Sequence, residues 1–347
     1  MEQTNIKTRE LNVKEKFSFV KLLATWEMIL FGLLIGILVI GLIIRPDLFT
    51  VANTYAAIIQ SGMDKAILAL GMYTLLGQGD RDMSCGGLVI LVAAVIGLLY
   101  GKGVNIAVCL LIALTIAVVA ELFSSYLVAF LNFDAIIVGI AMGTFYRGLV
   151  KIMLNDKDLN TFPEWFITLS WKNVLGGWLP VSLICFAILC VFFYWLIHRT
   201  RFGRQSELIG TNKEASNYSG LNVRKLRVGG YMVFAVMVAI ASIFFVGRLG
   251  NGLNSSASTG YEFQVMVIAV LGTVEINNRR PTVLGIIIAS LFYSCLNYVL
   301  GLIGIQSMEK KLIIGIILIL SVAISKFDKA KFKAAAAKLK KVSLKKA

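Results

Sequence analysis

The sequence predicts an all-α fold: a polytopic membrane protein of about ten transmembrane helices, with one short cytoplasmic helix between two of them. Three observations predict it. Of the 347 residues, 58% are apolar, and the mean hydropathy is +0.82, whereas soluble domains hold about 45–50% apolar residues. Several apolar runs reach the ~20 residues that a helix needs to cross a hydrocarbon core of ~30 Å. The excess of Lys and Arg, 34 against 19 Asp and Glu, gathers beside the apolar runs in three places. That grouping argues against nucleic acid as the partner of the +15 net charge. It follows the rule that Lys and Arg are retained on the cytoplasmic side of a membrane.

The chain divides accordingly. Residues 1–25 form a cytoplasmic arm carrying Lys7, Arg9, Lys14, Lys16 and Lys21. Residues 26–325 form the membrane domain, which contains a polar loop over 200–227. Residues 326–347 form a basic cytoplasmic tail with nine lysines and one acid, Asp328. With Phe327, Phe332, Leu339, Val342 and Leu344 between its lysines, the tail reads either as an anchor at anionic lipid headgroups or as a solvated extension. The first apolar run, Met28 to Ile44, is too long for the core of a cleaved signal peptide.

That run is the first expected span, and Arg45-Pro46-Asp47 ends it, since proline disfavours helix at the residue before it. The second runs from Val51 to Met72 and carries Asp64 and Lys65. Adjacent residues do not closely share one helical face, and charge in lipid is costly, so both are expected to face protein or water. Further spans are expected at Leu88–Tyr100, Val104–Leu131, Phe133–Met153, Val181–Ile197, Val228–Val246, Phe263–Val274, Thr282–Ile305 and Leu312–Ile324. The loop from Leu154 to Trp178 holds Trp165, Trp171 and Trp178, which suit an interfacial aromatic belt or an external partner. Gly247 to Gly260, rich in Gly, Asn and Ser, reads as a loop. Six spans separate the basic arm from the polar loop and four separate that loop from the tail. Both numbers are even, so all three basic regions, and both termini, are expected in the cytoplasm.

Little catalytic chemistry is available. The five cysteines form no CxxC pair, and His198 is the single histidine, so neither a metal site nor a Cys–His nucleophile is expected. No G-x-x-x-x-G-K-[ST] run occurs, so the chain has no P-loop for ATP. Glu121 lies within a span, either as part of a proton relay or as a tucked, hydrogen-bonded acid.

The stretch from Thr200 to Val223 organises the rest. Asn212 can cap a helix, because its side-chain oxygen accepts from free amides of the first turn. Lys213 to Ser219 makes about two turns, and Gly220 sits where a left-handed residue would end them. So short a helix is marginal alone, which suggests a docking piece held by a partner.

Gly210, Asn212, Ala215, Ser219, Gly220, Leu221 and Val223 fit the pattern G-x-N-x-x-A-x-x-x-S-G-[IL]-x-V, with Phe202, Gly203 and Arg204 upstream. On these residues the chain resembles the permease subunits of ribose-type (simple-sugar) ABC importers, the inner membrane components of binding-protein-dependent transport systems. Asp82, Ser84 and Gly86 match that family's G-G-I-D-L-S-V-G, whereas Asp80 and Arg81 stand for a glycine and an apolar residue. Arg147-Gly148-Leu149, Tyr261-Glu262 and Leu296-Asn297 match its R-G-L, Y-E and L-N. Asp134 stands where it has proline, and Asn277 to Arg280 replace a glycine-rich turn after Gly272-Thr273. The resemblance covers roughly Ile44 to Ile324.

The resemblance implies contact with an ATPase subunit through Gly210, Asn212, Glu214, Ala215, Tyr218, Ser219 and Gly220. It offers Asp64, Asp82, Ser84 and Asn297 as candidates for the translocation path. It also implies an extracytoplasmic solute-binding protein, a second permease copy or paralogue, surrounding lipid, and a place in the bacterial plasma membrane. No cofactor is expected in this chain; ATP-Mg belongs to the ATPase. The solute class is a sugar or related small polar compound, moved by alternating access. Residues 79–86 read as a helix break lining the path, where irregular backbone is tolerated only beside protein or water, or as a solvated loop. The alternatives for the whole chain are an ion- or proton-coupled secondary transporter using Glu121 or Asp64, and a membrane scaffold without transport.

Overall fold

In the computed structural model, the described residues are 26–44, 46, 52–169, 172–174, 179–250, 252–273 and 282–326. The basic arm, Trp171 and Trp178, the segment Asn277 to Pro281, and the tail beyond Lys326 lie outside them. In order, the helices are α1 (Trp26–Ile44), α2 (Ala52–Gly77), α3 (Cys85–Gly101), α4 (Ile106–Ala129) and α5 (Ala135–Leu154). They continue with α6 (Glu164–Thr168), α7 (Val181–Arg199), α8 (Arg201–Thr211), α9 (Lys213–Tyr218) and α10 (Val223–Leu249). The last three are α11 (Tyr261–Gly272), α12 (Val283–Leu302) and α13 (Ser307–Lys326). Among the described residues, the strands form one two-residue antiparallel pair before α7, Asn173–Val174 (β1) against Leu179–Pro180 (β2), beside an isolated bridge between Leu159 and Leu253.

Among the described residues, six helices are long and apolar enough to cross a membrane by length and composition: α1, α4, α5, α7, α10 and α12. The other four expected spans fall on shorter or more polar helices. Apolar α3 and α11 have 17 and 12 residues; α2 carries Asp64 and Lys65, and α13 opens with Glu309, Lys310 and Lys311.

Burial sorts the helices into a centre and a periphery. Residues Cys85 to Gly97 of α3 are all buried, the mark of a helix apolar on every side and packed on every side. Around it, α10 packs on α4, α2 and α3, while α12 packs on α2, α1 and α11. The outer helices instead present large apolar side chains outward, among them Ile43, Leu111, Ile137 and Val191. With no hydrophobic drive between helices in lipid, close approach of small residues holds such a bundle together. At the α3–α5 crossing, a Cβ on Gly87 would run into the backbone of Gly143.

Local chemistry corrects several expected boundaries. The polar loop over 200–227 is mostly helical. Its first part is α8, which the sequence reading left as loop, capped by the Thr200 hydroxyl accepting from Gly203 N at 3.3 Å. Helix α10 begins five residues before the expected Val228, because the Asn222 side chain accepts from Lys225 N at 3.1 Å. Arg224, Lys225 and Arg227 therefore stand on the first turns of α10. At its far end α10 runs to Leu249, so Gly247 is helical and the following loop starts at Gly250. Asp64 and Lys65 both face protein, as expected, and they also meet each other. The flexible lysine stem brings Lys65 Nζ within 3.6 Å of Asp64 Oδ1, although the two are sequence neighbours.

Candidate functional site

The Asn212 residue ends α8 and begins α9: its amide donates to Leu208 O at 3.1 Å, and its side chain accepts from Ala215 N at 3.0 Å. At the other end, Gly220 N donates to Asn217 O at 3.0 Å and Leu221 N to Ser216 O at 3.2 Å. That pair of bonds is the Schellman closure, which needs a left-handed residue at Gly220, and φ there is +82°. The helix is one residue shorter than expected, with Ser219 as its cap. It buries only Ser216; Glu214, Ala215 and Ser219 are exposed, and Tyr218 is 91% exposed. Gly210 is exposed as well, on the preceding helix. It closes α8 against the end of α2, where a Cβ would meet the Gly77 carbonyl.

Beneath α9 lies a buried polar network at the α2–α3 link. Asp80 is 2% exposed, and its carboxylate is held on both oxygens by Arg227, with Nε–Oδ2 and Nη2–Oδ1 at 2.7 Å each. The same guanidinium donates to Val128 O at 2.8 Å, and Lys213 Nζ, from the first residue of α9, reaches Asp80 Oδ1 at 3.1 Å. Next to it, buried Gln78 donates to Ser206 Oγ of α8 at 3.0 Å and to Leu226 O of α10 at 2.9 Å. The end of α2 is thereby tied to α8, α9, α10 and the end of α4. A cavity of about 610 Å³ opens beside α9, lined by Asn132, Lys213, Asn217, Arg224 and Arg227 among others.

Of the four path candidates, Asp82 and Ser84 come together. Asp82 Oδ1 accepts from Ser84 N at 2.6 Å, and Ser84 Oγ donates to Glu121 Oε1 at 3.4 Å. All three are buried, and Asp82 Oδ2 and Glu121 Oε2 find no hydrogen-bond donor among the described residues. Residues 80–84 are thus an irregular segment that buries Asp80, Asp82 and Ser84 and leaves Arg81 exposed. Asp64 belongs to a second cluster: its Oδ2 accepts from Arg248 Nε at 3.0 Å, with Lys65 on the other oxygen. Lys65 also donates to Ser61 O at 3.0 Å and lies 5.5 Å above the Tyr261 ring. Asn297, half-buried on α12, joins neither group among the described residues.

The sequence reading missed a further pair. Arg147 of α5 and Glu262 of α11 form an ion pair, and Arg147 Nη2 donates to Ser258 O at 3.0 Å. A Cβ on Gly86 would enter that pair. Three separately matched motifs therefore meet at one point: Asp82-x-Ser84-x-Gly86, Arg147-Gly148-Leu149 and Tyr261-Glu262. The signal was available, since one arginine and one glutamate, each embedded in an apolar run, need a partner of opposite sign. The same logic applies to Arg227 and Asp80.

A family model described as branched-chain amino acid transport system / permease component matches residues 54–322. The chain is 28% identical over 298 residues to the ribose import permease protein RbsC of Escherichia coli, spanning 84% of this chain and 92% of that one. It is 26% identical over 271 residues to the autoinducer 2 import system permease protein LsrC of Shigella flexneri, spanning 77% of each. No solved structure matches it. The family match runs from the first turn of α2 into α13, through both buried clusters and the exposed α9, and the chain belongs to this family of transport-system permease components.

Proposed function

We propose that this chain is the transmembrane permease subunit of an ABC importer, forming the path for a sugar or related small polar solute and driven by a separate ATPase subunit. The observation that carries the reading is α9: a six-residue helix, capped at both ends, exposed around Ala215 and Tyr218, and seated on a buried network that leads to the α2–α3 link. A helix this short gains little by itself, and a fully presented aromatic side chain suits a protein partner. The relatives support it, since both are named as import permeases and one is named for ribose.

In this reading the chain crosses the bacterial plasma membrane about ten times with both termini in the cytoplasm. It works as a dimer with a second permease copy or a paralogue, receives solute from an extracytoplasmic binding protein, and leaves ATP-Mg to the ATPase. The path runs past Asp64, Asp82, Ser84 and Asn297. The ATPase is contacted through Asn212, Glu214, Ala215, Tyr218, Ser219 and Gly220, with Gly210 holding the base of that surface.

Reconstitution with the ATPase and binding protein in proteoliposomes tests it: uptake should require ATP and all components. Ala215→Asp should place a charge in the docking surface and lower both ATPase co-purification and uptake, with normal insertion. Cysteine labels at positions 10, 213 and 340 should be protected from an impermeant reagent in intact cells. Uptake driven by an ion gradient with no ATPase present would overturn the proposal in favour of a secondary transporter.

A further inference from the structure

We propose that Asp80 and Lys213 form a latch that makes α9 and the α2–α3 link move as one body, so that displacement of α9 is delivered to Asp82 and Ser84. The proposal rests on the importer reading and extends it to how the two sites communicate. Asp80 departs from the glycine of the resembled pattern, and the structure accounts for the departure. Its carboxylate is divided between two cations of different character. Arg227 is buried and grips both oxygens at 2.7 Å, with a further bond to Val128 O. Two parallel N–H bonds in a buried setting make a rigid joint. Lys213 reaches the same carboxylate as a single point charge at 3.1 Å, with a side chain that is 43% exposed. A flexible ammonium of this kind is the separable arm of the pair.

The placement gives the arm its meaning. Lys213 is the first residue of α9, next to the Asn212 cap, so any tilt of α9 pulls on it. Asp80 lies two residues before Asp82, whose carboxylate sets the backbone at Ser84 and, through the Ser84 hydroxyl, touches Glu121. The route from α9 to the buried acids is therefore one ion pair and the five residues from Asp80 to Ser84. Gln78 runs parallel to it, bonded to Ser206 of α8 and to the Leu226 carbonyl. Close approach of Gly210 to the Gly77 carbonyl, which a Cβ on Gly210 would overlap, keeps the end of α2 tight against α8. In this arrangement Asp80 and Lys213 are positioning residues; neither touches solute or nucleotide.

The test is the ratio of solute taken up to ATP hydrolysed, measured in the reconstituted complex with the full chain. Normalising to hydrolysis removes any effect of weaker ATPase association. Lys213→Met should lower the ratio about two- to fivefold, the factor carried by a partly exposed ion pair, while Lys213→Arg should restore it. Asp80→Asn should lower it similarly, and the double variant should be no worse than either single one, because both remove one interaction. Asp80→Asn leaves Arg227 without its partner and can fail to fold; Lys213→Met leaves the buried pair intact and keeps the test decisive. A Lys213→Met ratio equal to that of the unsubstituted chain overturns the latch, as does a double variant showing the product of the single effects. If the unsubstituted complex shows no ATP-dependent uptake, the importer reading fails and the latch falls with it; if that complex transports and Lys213→Met is silent, only the latch falls.

Discussion

Replacing Gly220 by valine isolates the contribution of α9. A Cβ at Gly220 would meet nothing within 4 Å, so the substitution introduces no clash. The whole cost lies in the backbone, where φ is +82° and a β-branched residue is disfavoured by about 1–3 kcal/mol. If valine leaves the left-handed region instead, the bonds Gly220 N to Asn217 O and Leu221 N to Ser216 O are lost together, at a net cost of about 1 kcal/mol each. The two routes cost about the same, so the estimate does not depend on which is taken. Helix α9 has six residues and little burial, so it absorbs the loss, while α10 keeps its own cap at Asn222. A penalty of 1–3 kcal/mol corresponds to a loss of about 5- to 150-fold in affinity for a partner that binds the folded helix. The assay is a titration of detergent-purified chain with the ATPase subunit, alongside its thermal unfolding and its uptake in proteoliposomes. Binding should weaken within that range and uptake should fall with it, while thermal unfolding of the isolated chain stays unchanged. Gly220→Asn should recover most of the loss, since asparagine tolerates the left-handed conformation. A valine variant that binds the ATPase and transports like the unsubstituted chain refutes α9 as the coupling element.

Three further outcomes follow from the packing and the charge pairs. Gly87→Ala puts a methyl against the Gly143 backbone, which cannot yield without moving α5, and should lower thermal stability by about 1–3 kcal/mol; Gly36→Ala, with nothing within 4 Å of its Cβ, should be neutral. Arg248→Ala leaves buried Asp64 with Lys65 alone at 3.6 Å and should cost about 3 kcal/mol, and adding Asp64→Asn in the same chain should lower stability further, because Lys65 is then buried with no counter-charge, as read from unfolding in detergent. Truncation after Lys329 should leave uptake largely intact while weakening association with anionic vesicles, each lysine having contributed up to about 1 kcal/mol; complete loss of uptake with normal insertion would show the tail to be essential.

Most of the secondary structure was legible in the sequence, because lipid leaves an apolar run few options: its backbone groups must pair within the segment. The α9 helix was legible to within a residue, since Asn212 and Gly220 act locally through their own side chain and backbone. Less legible was α8, which is polar on much of its surface and is held by Thr200 and by contact with α2 and α7. Asp80, Arg227, Arg147, Glu262 and Arg248 could each be read as charges out of place, but not as pairs. Their partners lie 115 to 184 residues apart along the chain, and spacing along one helix says nothing about which other helix it meets. The sequence by itself determined that these charges had to be neutralised and that a capped helix would stand between two apolar runs. Only the tertiary structure decided that Asp80 and Lys213 meet, because the cost of a buried charge dictates that a partner exists, while the crossing of the helices dictates which one it is.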